Sequence, residues 1–284
     1  MMSEDLSAES QLPWGSYKPG MAAKTILALS RYTPLGRGFA RKTMAAQLKA
    51  LHSGPVDVQL WGTQVRLFPH NNVSERKALL RPDHFDAAER ALLGGIMSGA
   101  RPVFVDVGGN AGLYSLYAAL HASADAQILM IEPDTGLISR FNFNLSQARS
   151  RGLVDATLSA TTVPVAISDK DGEGVLSSGG EEGSRNLVSD GATAGRVVKL
   201  RTLHAVVADA QLDHIDVMKI DVEGHEDKVL PPFFNTAAIS LWPKKIIIEH
   251  LQRSRWHPDC ISEAESRGYR SQVISRNNTL LVRD

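Results

Sequence analysis

The segment VFVDVGGNAGLYSL, Val103 to Leu116, constrains this chain more than any other stretch. Val103, Phe104, Val105 and Val107 around a single acid, Asp106, predict a buried parallel strand. Gly108, Gly109, Asn110 and Gly112 make a turn, after which Leu113, Leu116, Tyr117 and Leu120 recur at helical spacing. Strand, glycine turn and helix form the first half of a nucleotide-binding α/β unit, because glycines let backbone approach a ligand at the helix start. A second apolar run, Ile128 to Ile131, ends in Glu132. An acid at the tip of the second strand is placed to accept hydrogen bonds from both ribose hydroxyls of an adenosine.

The turn selects among adenosine ligands. A dinucleotide fingerprint needs its third glycine five residues after the first, and glycines at 108, 109 and 112 fit no such frame. Asp106 directly ahead of them would repel a pyrophosphate and suits a cation. The pattern D-x-G-x-N-x-G over residues 106–112, with Glu132 ending the next strand, resembles the cofactor site of class I S-adenosylmethionine methyltransferases. That resemblance implies a cofactor with a sulfonium and an ammonium group and no phosphate.

Balanced charge, 31 basic against 31 acidic residues, excludes the basic footprint of a nucleic-acid binder. One cysteine, Cys260, excludes an internal disulfide. No apolar run reaches the ~18 residues of a membrane span. Met21 to Leu29 is short and internal, a helix rather than a signal peptide, and the expected compartment is the cytoplasm.

Along the chain, residues 1–20 read as a loosely ordered tail and residues 21–82 as a helix-and-hairpin extension. Within the extension, Gly36 to Leu51 predicts a basic amphipathic helix, with Phe39, Met44, Leu48 and Leu51 on one side and Arg37, Arg41, Lys42 and Lys49 as its charge. A cap helix with a solvated basic face is the simpler reading; a weak contact with an anionic membrane surface is the functional one. Val56, Val58 and Leu60, then Val65 and Leu67, alternate about Trp61-Gly62-Thr63 as a hairpin, and Asp86 to Met97 predicts a helix. Residues 83–284 read as the catalytic domain: a seven-stranded, mostly parallel, Rossmann-like α/β sheet. Its further elements are a helix over Asp134–Ser150, a third strand over Val163–Ile167 and a glycine-rich surface insertion from Asp171 to about Gly195. A strand over Val197–Leu200 and a helix over Leu203–Ala210 precede strands at Ile215–Ile220 and Ile246–Ile248. A helix over Cys260–Ser266 and a closing antiparallel pair about Asn277-Asn278 end the chain.

Chemistry belongs at the carboxyl ends of such strands. The fourth strand reads HIDVMKIDVEGHEDKVL, where Asp221 ends the apolar run and Glu223-Gly224-His225-Glu226 opens the next helix; the fifth ends in Glu249-His250. I-D-V-E-G-x-E, the D-x-G-x-N-x-G turn and an apolar strand ending in E-H together resemble the FkbM family of methyltransferases, over roughly Asp83 to Asp284. The resemblance implies O-methylation of a hydroxyl on a small molecule or saccharide: a sugar, a glycolipid or a polyketide-type acceptor. It implies that Asp106, Gly108, Gly109, Asn110, Gly112 and Glu132 hold S-adenosyl-L-methionine, and that Asp221, Glu223, His225 and His250 line the acceptor side. Ser168, at the end of the third strand, lies where such folds pass the adenine ring. A hydroxyl must lose its proton, and position favours His250 or Asp221 as the base or its orienter.

Other readings stand beside this one. Asp221 is suited to cap the following helix, Glu226 to complement its dipole, and Glu223 to pair with Lys219 or Lys228. A divalent cation on Asp221, Glu223 and His250 is an alternative, and no metal site is assigned. Leu230-Pro231-Pro232-Phe233 reads as a helix stop. A nicotinamide-dependent oxidoreductase and a non-catalytic binding protein on the same fold are the rival functions, and a homodimer is left open.

Overall fold

The computed structural model describes residues 12–36, 38–177, 187–188 and 195–283. Two helices, α1 (Met21–Tyr32) and α2 (Gly38–Leu51), precede a hairpin of β1 (Val56–Leu60) and β2 (Thr63–Leu67), then α3 (Val73–Leu80) and α4 (Ala87–Met97). Strands and helices then alternate: β3 (Val103–Val107), α5 (Leu113–His121), β4 (Gln127–Ile131), α6 (Thr135–Ser150) and β5 (Ser159–Val163). Next come β6 (Ala166–Ile167), β7 (Gly172–Ser177), β8 (Leu187–Val188) and β9 (Gly195–Arg201). The chain closes with α7 (Leu203–Asp209), β10 (Val217–Ile220), α8 (Leu230–Thr236), β11 (Lys245–Glu249), α9 (Cys260–Glu265), β12 (Arg270–Val273) and β13 (Asn278–Val282).

The central sheet has the order β12-β13-β11-β10-β3-β4-β5, parallel from β11 to β5, with β13 antiparallel to both of its neighbours. This is the expected seven-stranded, mostly parallel sheet. Burial on both faces explains the apolar runs. Val103, Val105, Val107, Met218, Ile220, Ile246 and Ile248 enter one buried cluster, while Phe104, Val217 and Ile247 enter the other. The chain leaves β3 for β4 on one side and returns to β10 on the other. The crevice at the β3/β10 ends is therefore the topological switch point, where such sheets bind ligands.

Residues 12–20, expected to be loose, form a strap. Arg66 donates to the carbonyls of Leu12 and Pro13 (2.8 and 2.9 Å), and the Asp57 carboxylate accepts from the Gly15 and Tyr17 N–H groups (2.7 and 3.0 Å). Residues 1–11 lie outside the described residues, as do Arg37 and the Phe39 side chain. The third strand also differs: β5 ends at Val163, and Ala166–Ile167 belongs instead to a second sheet of order β6-β9-β7-β8. Pro164 cannot donate to the ladder and separates the two. The second sheet takes in part of the expected insertion; residues 178–186 and 189–194 lie outside the described residues. Pro231 and Pro232 stand in the first turn of α8, where a missing N–H costs nothing, so the pair opens a helix instead of stopping one.

The extension shares the domain's core across the expected 82/83 boundary, since Leu27, Leu48, Val56 and Leu67 pack in one cluster with Phe104, Leu116 and Phe141. Asn144 of α6 bonds both the N–H and C=O of Arg66 in β2 (2.7 and 3.1 Å). Arg140 of α6 pairs with Glu75 of α3 at 2.8 Å, with both side chains almost fully buried. No described helix is long and apolar enough to cross a membrane.

Candidate active site

The glycine turn is built around the chain's own atoms. Gly108 and Gly109 donate to the Ile131 carbonyl (2.9 and 3.0 Å). Gly108 has φ +75° with the Asp221 carbonyl against it, so that a Cβ would lie 1.9 Å from that oxygen. Gly112 has φ +69°, and a Cβ there would meet the Phe141 ring at 2.5 Å. Any other residue would push β10 or α6 away from β3. Gly112 thus serves packing and walls none of the recesses below, contrary to its expected place as a ligand contact.

Asn110 sits at φ +53° and ties three elements together. Its N–H donates to Glu132 Oε2 (2.9 Å), and its Oδ1 accepts from Ala111 N (2.7 Å) and from Asn72 Nδ2 (2.6 Å). The other Glu132 oxygen accepts from Asp134 N (2.9 Å). Burial pushes the Glu132 carboxyl up to about 7 against the pull of these N–H groups. Each oxygen keeps a second lone pair for a ligand hydroxyl. Glu132 lines a cleft of about 650 Å³ whose wall also has an apolar part from Leu137, Val165, Ile167 and Leu176. Val165, Ala166 and Ile167 reach this wall; Ser168 does not, and its N–H bonds the Arg201 carbonyl instead (2.9 Å).

On the other side of Gly108 lies a recess of about 390 Å³ lined by Asp86, Asp106, Gly109, Asn110, Tyr114, Lys219 and Asp221. Asp106 is fully buried; its Oδ2 accepts from Ser115 Oγ (2.7 Å), and its Oδ1 has no partner among the described residues. Burial raises its pKa, opposed by Lys219 and Ser115. Lys219 lies opposite Asp106 in the β3/β10 ladder and donates to Asp221 Oδ2 (2.8 Å). Burial alone would lower the Lys219 pKa, but Asp221 and Asp106 hold it above its ordinary value.

A third recess, about 670 Å³, opens from Asn110, Asp221 and Glu223 toward Ser74, Lys77, Glu249, Gln252 and Asn277. The turn after β10 explains how Glu223 comes to face it. Glu226 is buried, and its Oε1 accepts from Val222 N (3.0 Å) and Gly224 N (3.3 Å) while Oε2 accepts from Trp256 Nε1 (2.6 Å). This staple holds Glu223 at φ +56°, a conformation costly for a residue with a Cβ. Glu226 therefore fixes a turn rather than a helix dipole, and residues 226–228 form only one 3₁₀ turn. Burial, then Asp221 and Glu226, push Glu223 up to about 7. Burial, Asp221 and Glu223 push Glu249 up to about 8.

Two expected site residues stand elsewhere. His250 is engaged at both ring nitrogens: Nε2 with the Arg276 carbonyl (3.1 Å), which can only accept, and Nδ1 with Thr279 Oγ1 (2.9 Å). Nε2 thus carries the hydrogen and Nδ1 accepts from Thr279, which leaves no lone pair for a substrate proton. Nor is the set Asp221, Glu223 and His250 assembled. Successive strand residues point to opposite faces, so Glu249 faces the recess and His250 the closing hairpin. His225 walls none of these recesses; burial lowers its pKa, and its buried Nδ1 has no partner among the described residues. Glu249, read in the sequence only as half of the strand-end E-H pair, is the acid that faces the recess, and strand parity with Lys219 and Asp221 is the signal that singles it out.

Residues 106–271 match the family model of the methyltransferase FkbM domain. The chain belongs to the FkbM methyltransferase family. An FkbM methyltransferase takes S-adenosylmethionine as cofactor, which removes the oxidoreductase alternative. The chain is 32% identical over 167 residues to the AMB antimetabolite synthetase AmbE of Pseudomonas aeruginosa, covering 48% of this chain but only 8% of that protein. Among solved structures, a SAM-dependent methyltransferase from Agrobacterium tumefaciens is similar at TM-score 0.44 and 9% identity, over 81% of this chain and 69% of that one. An O-methyltransferase from Bacillus cereus in complex with SAH is similar at TM-score 0.38 and 12% identity, over 70% and 82%. The family assignment rests on the sequence match, and the fold on the strand order above.

The residues present fit the cofactor. The orphaned, buried Asp106 Oδ1 is an acceptor without a donor, suited to an ammonium group. Glu132 offers lone pairs to ribose hydroxyls, and the apolar part of the cleft wall suits a flat ring.

Proposed function

We propose that this FkbM methyltransferase transfers a methyl group to a hydroxyl oxygen of a neutral, hydroxyl-rich acceptor such as a sugar unit or a hydroxylated natural product. When bound, S-adenosylmethionine supplies a methyl carbon already activated by its sulfonium. Asp106, Gly108, Gly109, Asn110 and Glu132 are the residues proposed to hold it, in the cytoplasm, where a chain with one buried cysteine is at home.

The observation that carries the reading is the position of Glu223. With Asn110 and Asp221 it walls both the cofactor cleft and the third recess. A carboxylate with a pKa near neutral, at the border of two clefts, is matched to removing a hydroxyl proton at working pH. Asp221, held by Lys219, orients the acceptor, and a Glu223 oxygen takes the hydroxyl proton; the bound cofactor would supply the methyl carbon to the hydroxyl oxygen, with the electron pair of its methyl–sulfur bond leaving on a neutral thioether. Ser74, Gln252 and Asn277 supply neutral hydrogen-bonding groups, and Lys77 is the single cationic side chain in that wall. Such a lining favours hydroxyls over a phosphate or carboxylate. The excess of acid also suits an amine acceptor, which is the competing reading.

The test is an acceptor panel of sugars, hydroxylated macrolides and amines, with the product identified by mass spectrometry. Glu223→Gln should keep cofactor affinity and lose about 10²–10⁴ in kcat. In the wild type, kcat should rise with pH through about 7, because the base must be ionised. Full activity of Glu223→Gln at every pH would overturn the base assignment. Methylated amines alone would overturn the hydroxyl reading, and cofactor binding with no turnover on any acceptor would point to a binding protein.

A further inference from the structure

Residues 10–56 hold Lys18, Lys24, Arg31, Arg37, Arg41, Lys42 and Lys49 and not one Asp or Glu, in a chain whose total charge is zero. Helix α1, within this stretch, is apolar on its outer face as well as on its buried one. Ala23, Leu27 and Ser30 are buried, while Met21 (78% exposed), Leu29 (37%) and Tyr32 (81%) face out together with Thr25 and Ala28. At 3.6 residues per turn these five share one arc, with Lys24 on its border. A surface helix ordinarily turns charge to water; this one turns an apolar stripe outward.

Beside the stripe runs a groove of about 760 Å³ lined by Trp14, Lys18, Lys24, Ala28, Arg31 and Tyr32. Ala28 and Tyr32 belong to both stripe and groove, so the two are continuous. The one acid in the groove wall, Asp57, is already engaged by Arg66 at 2.8 Å and by two backbone N–H groups. Arg31 anchors the floor through Nε to the Leu79 carbonyl (2.9 Å), and its buried Nη2 has no partner among the described residues. On the next helix, exposed Arg41, Lys42 and Lys49 fall on one side.

We propose that this face docks on an anionic lipid bilayer. The α1 stripe enters the boundary between head groups and acyl chains, Trp14 and Tyr32 sit at the level of the head groups, and Lys18 and Lys24 meet lipid phosphates. Charge complementarity selects this occupant. A second copy of the same face would bring two acid-free basic segments together. A nucleic acid would leave Met21 and Leu29 in water. The same extension reaches the third recess, because α3, which takes hydrogen bonds from Ser30 and Arg31 of α1, contributes Ser74 and Lys77 to its wall.

The full chain should co-sediment with vesicles of phosphatidylcholine mixed with phosphatidylglycerol, not with phosphatidylcholine alone, and added salt should release it. Lys18→Glu/Lys24→Glu should lower partitioning by about thirty-fold or more, at roughly five-fold lost per basic residue removed. Met21→Ser/Leu29→Ser/Tyr32→Ser should weaken binding and leave its salt dependence intact. All five positions are exposed, so circular dichroism and melting should stay as in the wild type. Equal binding to neutral vesicles, no binding to anionic ones, or wild-type binding by the charge-reversed variant would each overturn the proposal. A dimer in light scattering that the serine variant dissolves, without vesicle binding, would assign the stripe to a second copy instead.

Discussion

Asn72, the N-cap residue of α3, reaches from the extension into the cofactor loop, and its replacement tests whether that reach matters. The side chain is fully buried and makes two hydrogen bonds: Oδ1 accepts from Glu75 N (3.1 Å), capping α3, and Nδ2 donates to Asn110 Oδ1 (2.6 Å). Asn72→Ala removes both. A lost cap costs about 1 kcal/mol and a lost neutral hydrogen bond about 0.5–1.5 kcal/mol. Asn72→Ser keeps a capping oxygen but is too short to reach Asn110, so it loses only the second. In a chain of this size each kcal/mol lowers Tm by about 2–4 °C, which predicts a drop of roughly 4–8 °C for alanine and half that for serine. Cofactor affinity should behave differently. Asn110 at φ +53° positions Glu132 through its own N–H. Both variants should therefore bind S-adenosylmethionine about five-fold more weakly, the equivalent of one hydrogen bond. Calorimetric titration beside thermal melts separates the two effects. Unchanged affinity in both variants, with Tm lowered as expected, would show that the glycine loop holds its shape without the extension.

Two further outcomes follow from the site geometry. Asp106→Ala and Glu132→Ala should each weaken S-adenosylmethionine binding about ten- to hundredfold, the loss of a hydrogen bond to a charged group, with circular dichroism unchanged; unchanged affinity in both by calorimetry would remove these residues from the cofactor site. His250→Ala should cost about 1–2 kcal/mol in denaturant melts, from the two hydrogen bonds to the closing hairpin, and keep most of kcat. A hundredfold loss of turnover at full stability would restore His250 as the base.

The features legible without the tertiary structure are local. The strand over Val103–Val107, the turn at 108–112 and the acid at 132 lie within thirty residues and depend on period, glycine placement and an acid at a strand end. These signals need no knowledge of what lies opposite, and they carry the fold class, the cofactor and the family. Glu223 stands out as a candidate for the same reason, since four titratable side chains after an apolar run exceed what a turn requires. The misplaced residues all depend on partners distant in sequence. Glu249 and His250 are adjacent, and only the register of β11 against β10 decides which one shares a face with Lys219 and Asp221. Glu226 looks like a helix-dipole residue until Trp256, thirty positions later, is seen to complete its staple. Residues 12–20 look loose because their anchors, Asp57 and Arg66, come some forty to fifty residues on. The second sheet pairs β7 with β9 across an insertion with little apolar pattern, so its hydrogen bonds have no signature in either segment alone. Covalent neighbours announce a strand or a turn; which face a side chain takes, and whether a charge is already answered, is decided by contacts that exist only once the chain has closed on itself.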